Sequence, residues 1–295
     1  MIKIAKLATA NFHTVHLDAM IAYYTEVLGL TLIEQAPDGT AYLSTGVDHH
    51  NIILTPAKEN KLQHVGFQVG SQYSVKEIAA ELSKRGVHPF IKSDAEPGVA
   101  ELVEFQDPDG NTLQIFSGMT MPVPGFKKSG VVPNKLGHIA MHTPDVKRLV
   151  HFYTDILGFR ISDQMEEYFY FLRTNSDHHT MNFLEGDSKM HHIAFELRDW
   201  SHIQQACDEL ARHDISLIWG PGRHGIGHNL FTYHFDPDGN TIELFTELDT
   251  MISEDLGYFE PRPWHDDLPQ RPKVWGRDKQ SRSPWGVMPS EQFGK

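Results

Sequence analysis

The stretch Asp107-Pro108-Asp109-Gly110-Asn111-Thr112 recurs letter for letter as Asp236-Pro237-Asp238-Gly239-Asn240-Thr241, 129 residues further on. Its Asp-Gly and Gly-Asn steps supply the positive-φ positions of a hairpin, so each copy reads as a turn between two strands. Outward from it, the same offset carries Tyr24-Thr25-Glu26-Val27-Leu28-Gly29 onto Tyr153-Thr154-Asp155-Ile156-Leu157-Gly158. Between these landmarks, Leu62-Gln63-His64-Val65-Gly66-Phe67 meets His191-His192-Ile193-Ala194-Phe195, with His64 on His192 at an offset of 128. One register therefore holds, within a residue, along most of the chain. A period this long marks a whole folding unit that has been copied, here spanning roughly 5–118 and 134–247.

Each copy reads as a mixture of strands and helices. Leu136 to Thr143 alternates as a strand. After Pro144-Asp145 the pattern changes to an amphipathic helix with Leu149, Phe152, Ile156 and Leu157 on its apolar stripe. A strand pair, the His-containing strand and a second helix follow. In the first copy that helix starts at Ser74 with Glu77 three residues on, a capping-box pattern; in the second it follows Asp199 and carries Ile203, Ala206, Leu210 and Ala211. The organisation is α+β: an N-terminal module over 1–120, a Pro/Gly/Lys-rich linker over 121–133, a second module over 134–248 and an extension over 249–295. The last 48 residues hold six prolines and Trp264, Trp275 and Trp285, so the extension is expected to lie along the body of the protein.

Composition narrows the function classes. The 295 residues carry a net charge of −13, which repels nucleic acid and anionic membrane surfaces. Cys207 is the sole cysteine, which excludes an internal disulfide and fits a reducing compartment. No stretch has the length of a membrane span or the apolar core of a signal peptide, so a soluble, cytoplasmic protein is expected. The 19 histidines are the conspicuous count, although most histidines are structural or solvated.

A duplication carries its own control: positions where the copies differ are candidates for function. In the second copy the first strand holds His138, the third His192 and the last Glu243; the first copy has Thr9, His64 and Gln114 there. Alternation sets His138 on a face with Ala140, and sets Glu243 opposite Ile242 and Leu244, away from the core those residues build. A lone strand histidine is usually structural, and His64, His142, His151, His202 and His213 take that reading. Three ligand-type residues at matched strand positions of one copy make a metal site. Two imidazoles and a carboxylate with open positions suit non-haem Fe(II) oxygen chemistry. Fe(II) with one glutamate keeps a net charge of +1, which favours an anionic oxygen ligand.

These residues carry a resemblance. The motifs Leu136-Gly137-His138-Ile139-Ala140, Met190-His191-His192-Ile193-Ala194-Phe195 and the run from Tyr233 to Glu243 are similar to the type I extradiol ring-cleaving dioxygenases of the vicinal-oxygen-chelate superfamily. The resemblance covers about 5–247 and is most specific over 219–245. It implies two tandem modules, each a pair of βαβββ units forming a curved mixed sheet around a funnel. It implies Fe(II), with Mn(II) accepted by the same ligands, held by His138, His192 and Glu243. It implies O2 and a catecholic small molecule as substrates, a ring-opened 2-hydroxymuconate-type product in aromatic-compound catabolism, and a homo-oligomer, often a tetramer. His179 corresponds to the histidine beside the oxygen site, and His224 and Tyr233 to residues that hydrogen-bond the catechol oxygens. The doublets leave choices open. The Leu-x-His pattern of 136–138 and 62–64 selects His192 over His191, whereas His178 competes with His179 and His228 with His224. Two other functions stand beside this one: a glyoxalase-type isomerase, disfavoured because all three ligands fall in one copy, and a sequestering protein, which needs no complete triad.

Overall fold

A computed structural model describes residues 2–121 and 129–293; residues 122–128 of the expected linker lie outside the described residues. The first module runs β1 (Ile4–Thr14), α1 (Leu17–Ala22), β2 (Thr31–Gln35), β3 (Ala41–Ser44), β4 (Ile52–Pro56), then β5 (Lys61–Val69), α2 (Val75–Lys84), β6 (Phe90–Glu96), β7 (Val99–Gln106) and β8 (Thr112–Phe116). The second repeats it: β9 (Lys135–Thr143), α3 (Val146–His151), β10 (Arg160–Met165), β11 (Phe169–Arg173), β12 (Met181–Glu185), then β13 (Lys189–Glu196), α4 (Trp200–Arg212), β14 (Trp219–Arg223), β15 (Leu230–Phe235) and β16 (Thr241–Thr246). Each module is thus two βαβββ units. The strand pair read from the pattern is a run of three in each half, as the βαβββ units of the resemblance imply.

The strands form two mixed sheets, ordered β2-β3-β4-β1-β5-β8-β7-β6 and β14-β15-β16-β13-β9-β12-β11-β10. In both, the first strands of the two units pair antiparallel at the centre, and each is flanked by a parallel strand. The central strand β9 is buried almost throughout rather than alternating, because each of its faces is covered. One apolar core runs through both modules and includes Phe67, Phe105, Phe183 and Phe195. Ala211 departs from the expected stripe of α4 and faces solvent; the buried side is His202, Ile203, Ala206 and Leu210.

The repeated Asp-Pro-Asp-Gly-Asn turn joins the modules. In each copy the leading aspartate accepts the backbone N–H groups two and four residues on at 2.9–3.0 Å, and the glycine sits at φ +82°. Each turn then meets the helix entry of the other module: Arg148 bonds Asp109 at 2.5 Å, and His16 bonds Asp238 at 2.8 Å. A surface turn has become a reciprocal clasp.

Beyond the second module the chain forms β17 (Met251–Ser253), β18 (Tyr258–Phe259), β19 (Val274–Trp275) and α5 (Lys279–Arg282). Strand β19 extends the second sheet beside β10. No helix among the described residues is long and apolar enough to cross a membrane.

Candidate metal centre and its cavity

Strands β16, β13 and β9 lie side by side. Ala194 is the register partner of both His138 and Glu243, and His192 lies two residues before it, so all three side chains leave the same face. They converge: His138 Nε2 is 3.1 Å from His192 Nε2 and 3.0 Å from Glu243 Oε2, and His192 Nε2 is 3.2 Å from the same oxygen. Bonds of about 2.1 Å meeting at right angles would set ligand atoms about 3.0 Å apart, against about 3.4 Å for a tetrahedron. The observed separations fit a six-coordinate cation better than a tetrahedral one, so these three residues would hold such an ion. All three residues are buried. Burial alone would raise the carboxyl of Glu243, but the charge and hydrogen bonds of His138 and His192 hold it well below the usual range. It is therefore ready as an anionic ligand.

The surroundings support the ligands. Asn229 donates to Glu243 Oε1 at 2.9 Å, and His191 Nδ1 meets His192 Nδ1 at 2.6 Å, which orients that ring. His138 Nδ1 is the exception, buried with no partner among the described residues.

A cavity of about 520 Å³ opens from the triad and is lined by Phe169, Phe171, Trp219, Ile226, Met288 and Phe293 among others. His179 lies on its wall with its ring centroid 4.2 Å from that of His138. His178 points away and bonds Asp163 Oδ2 at 3.1 Å. Burial, together with the neighbouring His138 and His178, pushes the His179 imidazole well below its usual value. Beside Glu243, His224 Nε2 lies 3.0 Å from Tyr233 Oη, and His224 Nδ1 lies 2.8 Å from the carbonyl of Arg282. That carbonyl can only accept, so His224 donates from Nδ1 and accepts the tyrosine proton at Nε2. Burial and the charge of Glu243 keep Tyr233 protonated. Trp219 stacks on its ring at 18°.

Residues 6–115 and 135–244 each match the model of the Glyoxalase/Bleomycin resistance protein/Dioxygenase superfamily. The chain belongs to this superfamily. Among its relatives are a manganese-dependent 2,3-dihydroxybiphenyl 1,2-dioxygenase of Geobacillus genomosp. 3, 26% identical over 92% of this chain and 94% of that protein, and an iron-dependent extradiol dioxygenase of Rhodococcus jostii, 26% identical over 83% and 89%. Solved structures with the same fold include a Mn(II)-bound glyoxalase from Novosphingobium aromaticivorans (TM-score 0.86, 26% identity, 100% of this chain and 95% of that one). Another is the substrate complex of homoprotocatechuate 2,3-dioxygenase from Brevibacterium fuscum (TM-score 0.83, 26% identity, 99% and 92%).

Within this superfamily fold, His228 is set apart from the cavity. It bonds Asp249 Oδ2 at 2.7 Å, and His265 of the extension bonds Asp249 Oδ1 at 2.8 Å. The three could chelate an ion. In this structure the two imidazoles share the two oxygens of one carboxylate, and the group fastens the extension to the loop bearing His224.

Sequence reading missed Asn182 and Asn229, which line the cavity, and the inner face of the extension, including Arg277, Arg282 and Phe293. The copy comparison could have found the asparagines. At the 129-residue offset Asn182 meets Ile53 and Asn229 meets Ala100, the kind of difference that exposed His138 and Glu243.

Proposed function

We propose that this chain is a metal-dependent extradiol dioxygenase that opens a catecholic ring with O2, with the second module (134–248) catalytic, the first (1–120) metal-less, 121–133 a linker and the extension over 249–295 forming part of the cavity wall. The observation that carries the reading is the right-angled set of His138, His192 and Glu243 at the base of an aromatic-lined cavity. Fe(II) or Mn(II) held there supplies a template on which catechol and O2 lie side by side and electron density passes from one to the other. The remaining work falls to the chain. Tyr233, protonated and anchored through His224, presents its oxygen to a catechol hydroxyl and holds one end of the diol. His179, neutral because it is buried, keeps a lone pair for the proton released when the diol binds and returns that proton later in turnover. Phe169, Phe171, Ile226 and Trp219 exclude water and receive the ring.

We place the protein in the cytoplasm and read it as a homo-oligomer, a tetramer by family resemblance. The support for association is strand β6, an edge strand that leaves Phe90 and Ile91 exposed. Sedimentation of the purified chain checks that reading, and a monomer at micromolar concentration contradicts it. For the reaction, protein loaded anaerobically with Fe(II) or Mn(II) is given a panel of catechols and then air. A yellow ring-opened product is expected from at least one. Absence of product from every catechol, with one metal bound per chain, overturns the reading. A thiol-adduct substrate isomerised without oxygen would favour the glyoxalase type instead.

A further inference from the structure

His179 is bonded from behind. Its Nδ1 lies 2.9 Å from Nδ1 of His178, whose Nε2 lies 3.1 Å from Asp163 Oδ2; the other oxygen, Oδ1, accepts the backbone N–H of Lys273 at 2.7 Å. All three side chains are buried, Asp163 and His178 almost completely. Each link constrains the next. A carboxylate only accepts, so a neutral His178 gives its Nε2 proton to Asp163 and carries its lone pair on Nδ1. Two Nδ1 atoms at hydrogen-bond distance need one proton between them, and it must then come from His179. That leaves the Nε2 of His179 bare toward the cavity.

We infer that Asp163 and His178 are positioning residues that fix the tautomer of His179, holding its Nε2 as a proton acceptor beside the metal centre. The inference rests on the reading of His179 as the proton-handling group of an extradiol dioxygenase. The other module supplies a control. His49 and His50 form the same doublet, Nδ1 to Nδ1 at 3.1 Å and rings crossed at 88° as in the second module. The doublet therefore belongs to the fold. The anchor differs: Glu34 stands where the repeat puts Asp163 and is exposed, and His50 instead spends its Nε2 on Glu96 at 3.3 Å. The position that carries the buried Asp163 in the second module carries the exposed Glu34 in the first. Through Lys273 the relay also ties His179 to the extension.

Asp163→Asn is the discriminating change. The amide oxygen still accepts from Lys273, but the amide NH2 now donates to His178 Nε2. His178 must carry its proton on Nδ1 and give it to His179, which then bears its own proton on Nε2. The test is nitrogen NMR of histidine-labelled protein loaded with Zn(II), which is diamagnetic, paired with steady-state kinetics of the Fe(II) form. Wild type is expected to show His179 protonated at Nδ1 and bare at Nε2, and Asp163→Asn the reverse. In parallel kcat is expected to fall about 100-fold, with metal stoichiometry and KM little changed. In a His178→Ala background the Asp163 substitution is expected to cost nothing further, because the link it acts through is gone. A wild-type His179 protonated at Nε2 overturns the inference even if no variant folds, as do multiplicative effects in the double variant. The spectra do not depend on ring cleavage, so a chain that fails as a dioxygenase but shows the switch separates the two claims.

Discussion

The two modules share a backbone plan and differ in what satisfies the polar groups of their clefts. In the second, His192 converges with His138 and Glu243 at the base of an open cavity. In the first, Thr9 and Gln114 replace two of these ligands, and the remaining imidazole, His64, lies 3.2 Å from Glu96. Glu96 also takes His50, the counterpart of His179. By the repeat, Glu96 occupies the place of Gly225 in the second module. One internal carboxylate thus pairs with both imidazoles of the first module's cleft. Buried imidazoles would be costly without a partner, and Glu96 supplies one to His50 and His64. The glycine opposite serves the reverse purpose. A Cβ on Gly225 would lie 1.7 Å from the carbonyl oxygen of Gln280, so its absence lets the extension close over the cavity.

The comparison breaks most completely if the ligands are exchanged for non-ligands. Glu243→Ala is expected to abolish metal binding and turnover, measured by metal content and oxygen uptake, whereas His64→Ala leaves one metal per chain. The next largest effect falls on His179→Ala: kcat drops about 100- to 10,000-fold with metal content unchanged. Asn229→Ala removes the donor to Glu243 and is expected to weaken metal affinity about 10- to 100-fold, read by competition with a chelator. Gly225→Ala pushes the extension off the loop; kcat/KM is expected to fall about tenfold while the metal stays bound, since small misplacements at a distance cost up to about 100-fold.

The smallest effect sharpens the other side. Burial alone would raise Glu96, but the hydrogen bonds and charges of His64 and His50 bring it down to about 2. Its folded value lies below its unfolded one, so its contribution is complete above about pH 4.5 and is lost as the pH falls toward 2. Glu96→Gln should therefore flatten the acid limb of the stability curve across that window, on the order of 2 kcal/mol, with turnover at neutral pH unchanged. Denaturant melts at several pH values check this.

What was legible in the chain follows from how each feature is encoded. The modules showed because Asp-Pro-Asp-Gly-Asn must keep its letters to make its turn. The candidate ligands showed because His138 and Glu243 are polar strand residues where the sibling copy has the non-ligands Thr9 and Gln114. Asp163 was hidden: a register shift between Ile161 and Asp163 breaks the alternation of β10, and Ser162 and Asp163 are both buried. The choice between His178 and His179 was invisible because adjacent residues of one loop have no period to part them. His265 and the cavity-facing side of the extension were hidden because that segment has little regular structure, and the contacts that hold it to the body, such as His265 to Asp249 and Lys273 to Asp163, are distant in sequence. The doublet carries a caution too. His50 and His179 are kept in both copies, so retention does not limit a residue to the fold.

One measurement tests the central claim most directly. Protein loaded with Fe(II) to one metal per chain is mixed with its best catechol under 18O2, and the ring-opened product is weighed by mass spectrometry. Two labelled atoms in each product molecule are the expected result. A single labelled atom, or product formed without oxygen uptake, would contradict the assignment of this centre to extradiol cleavage.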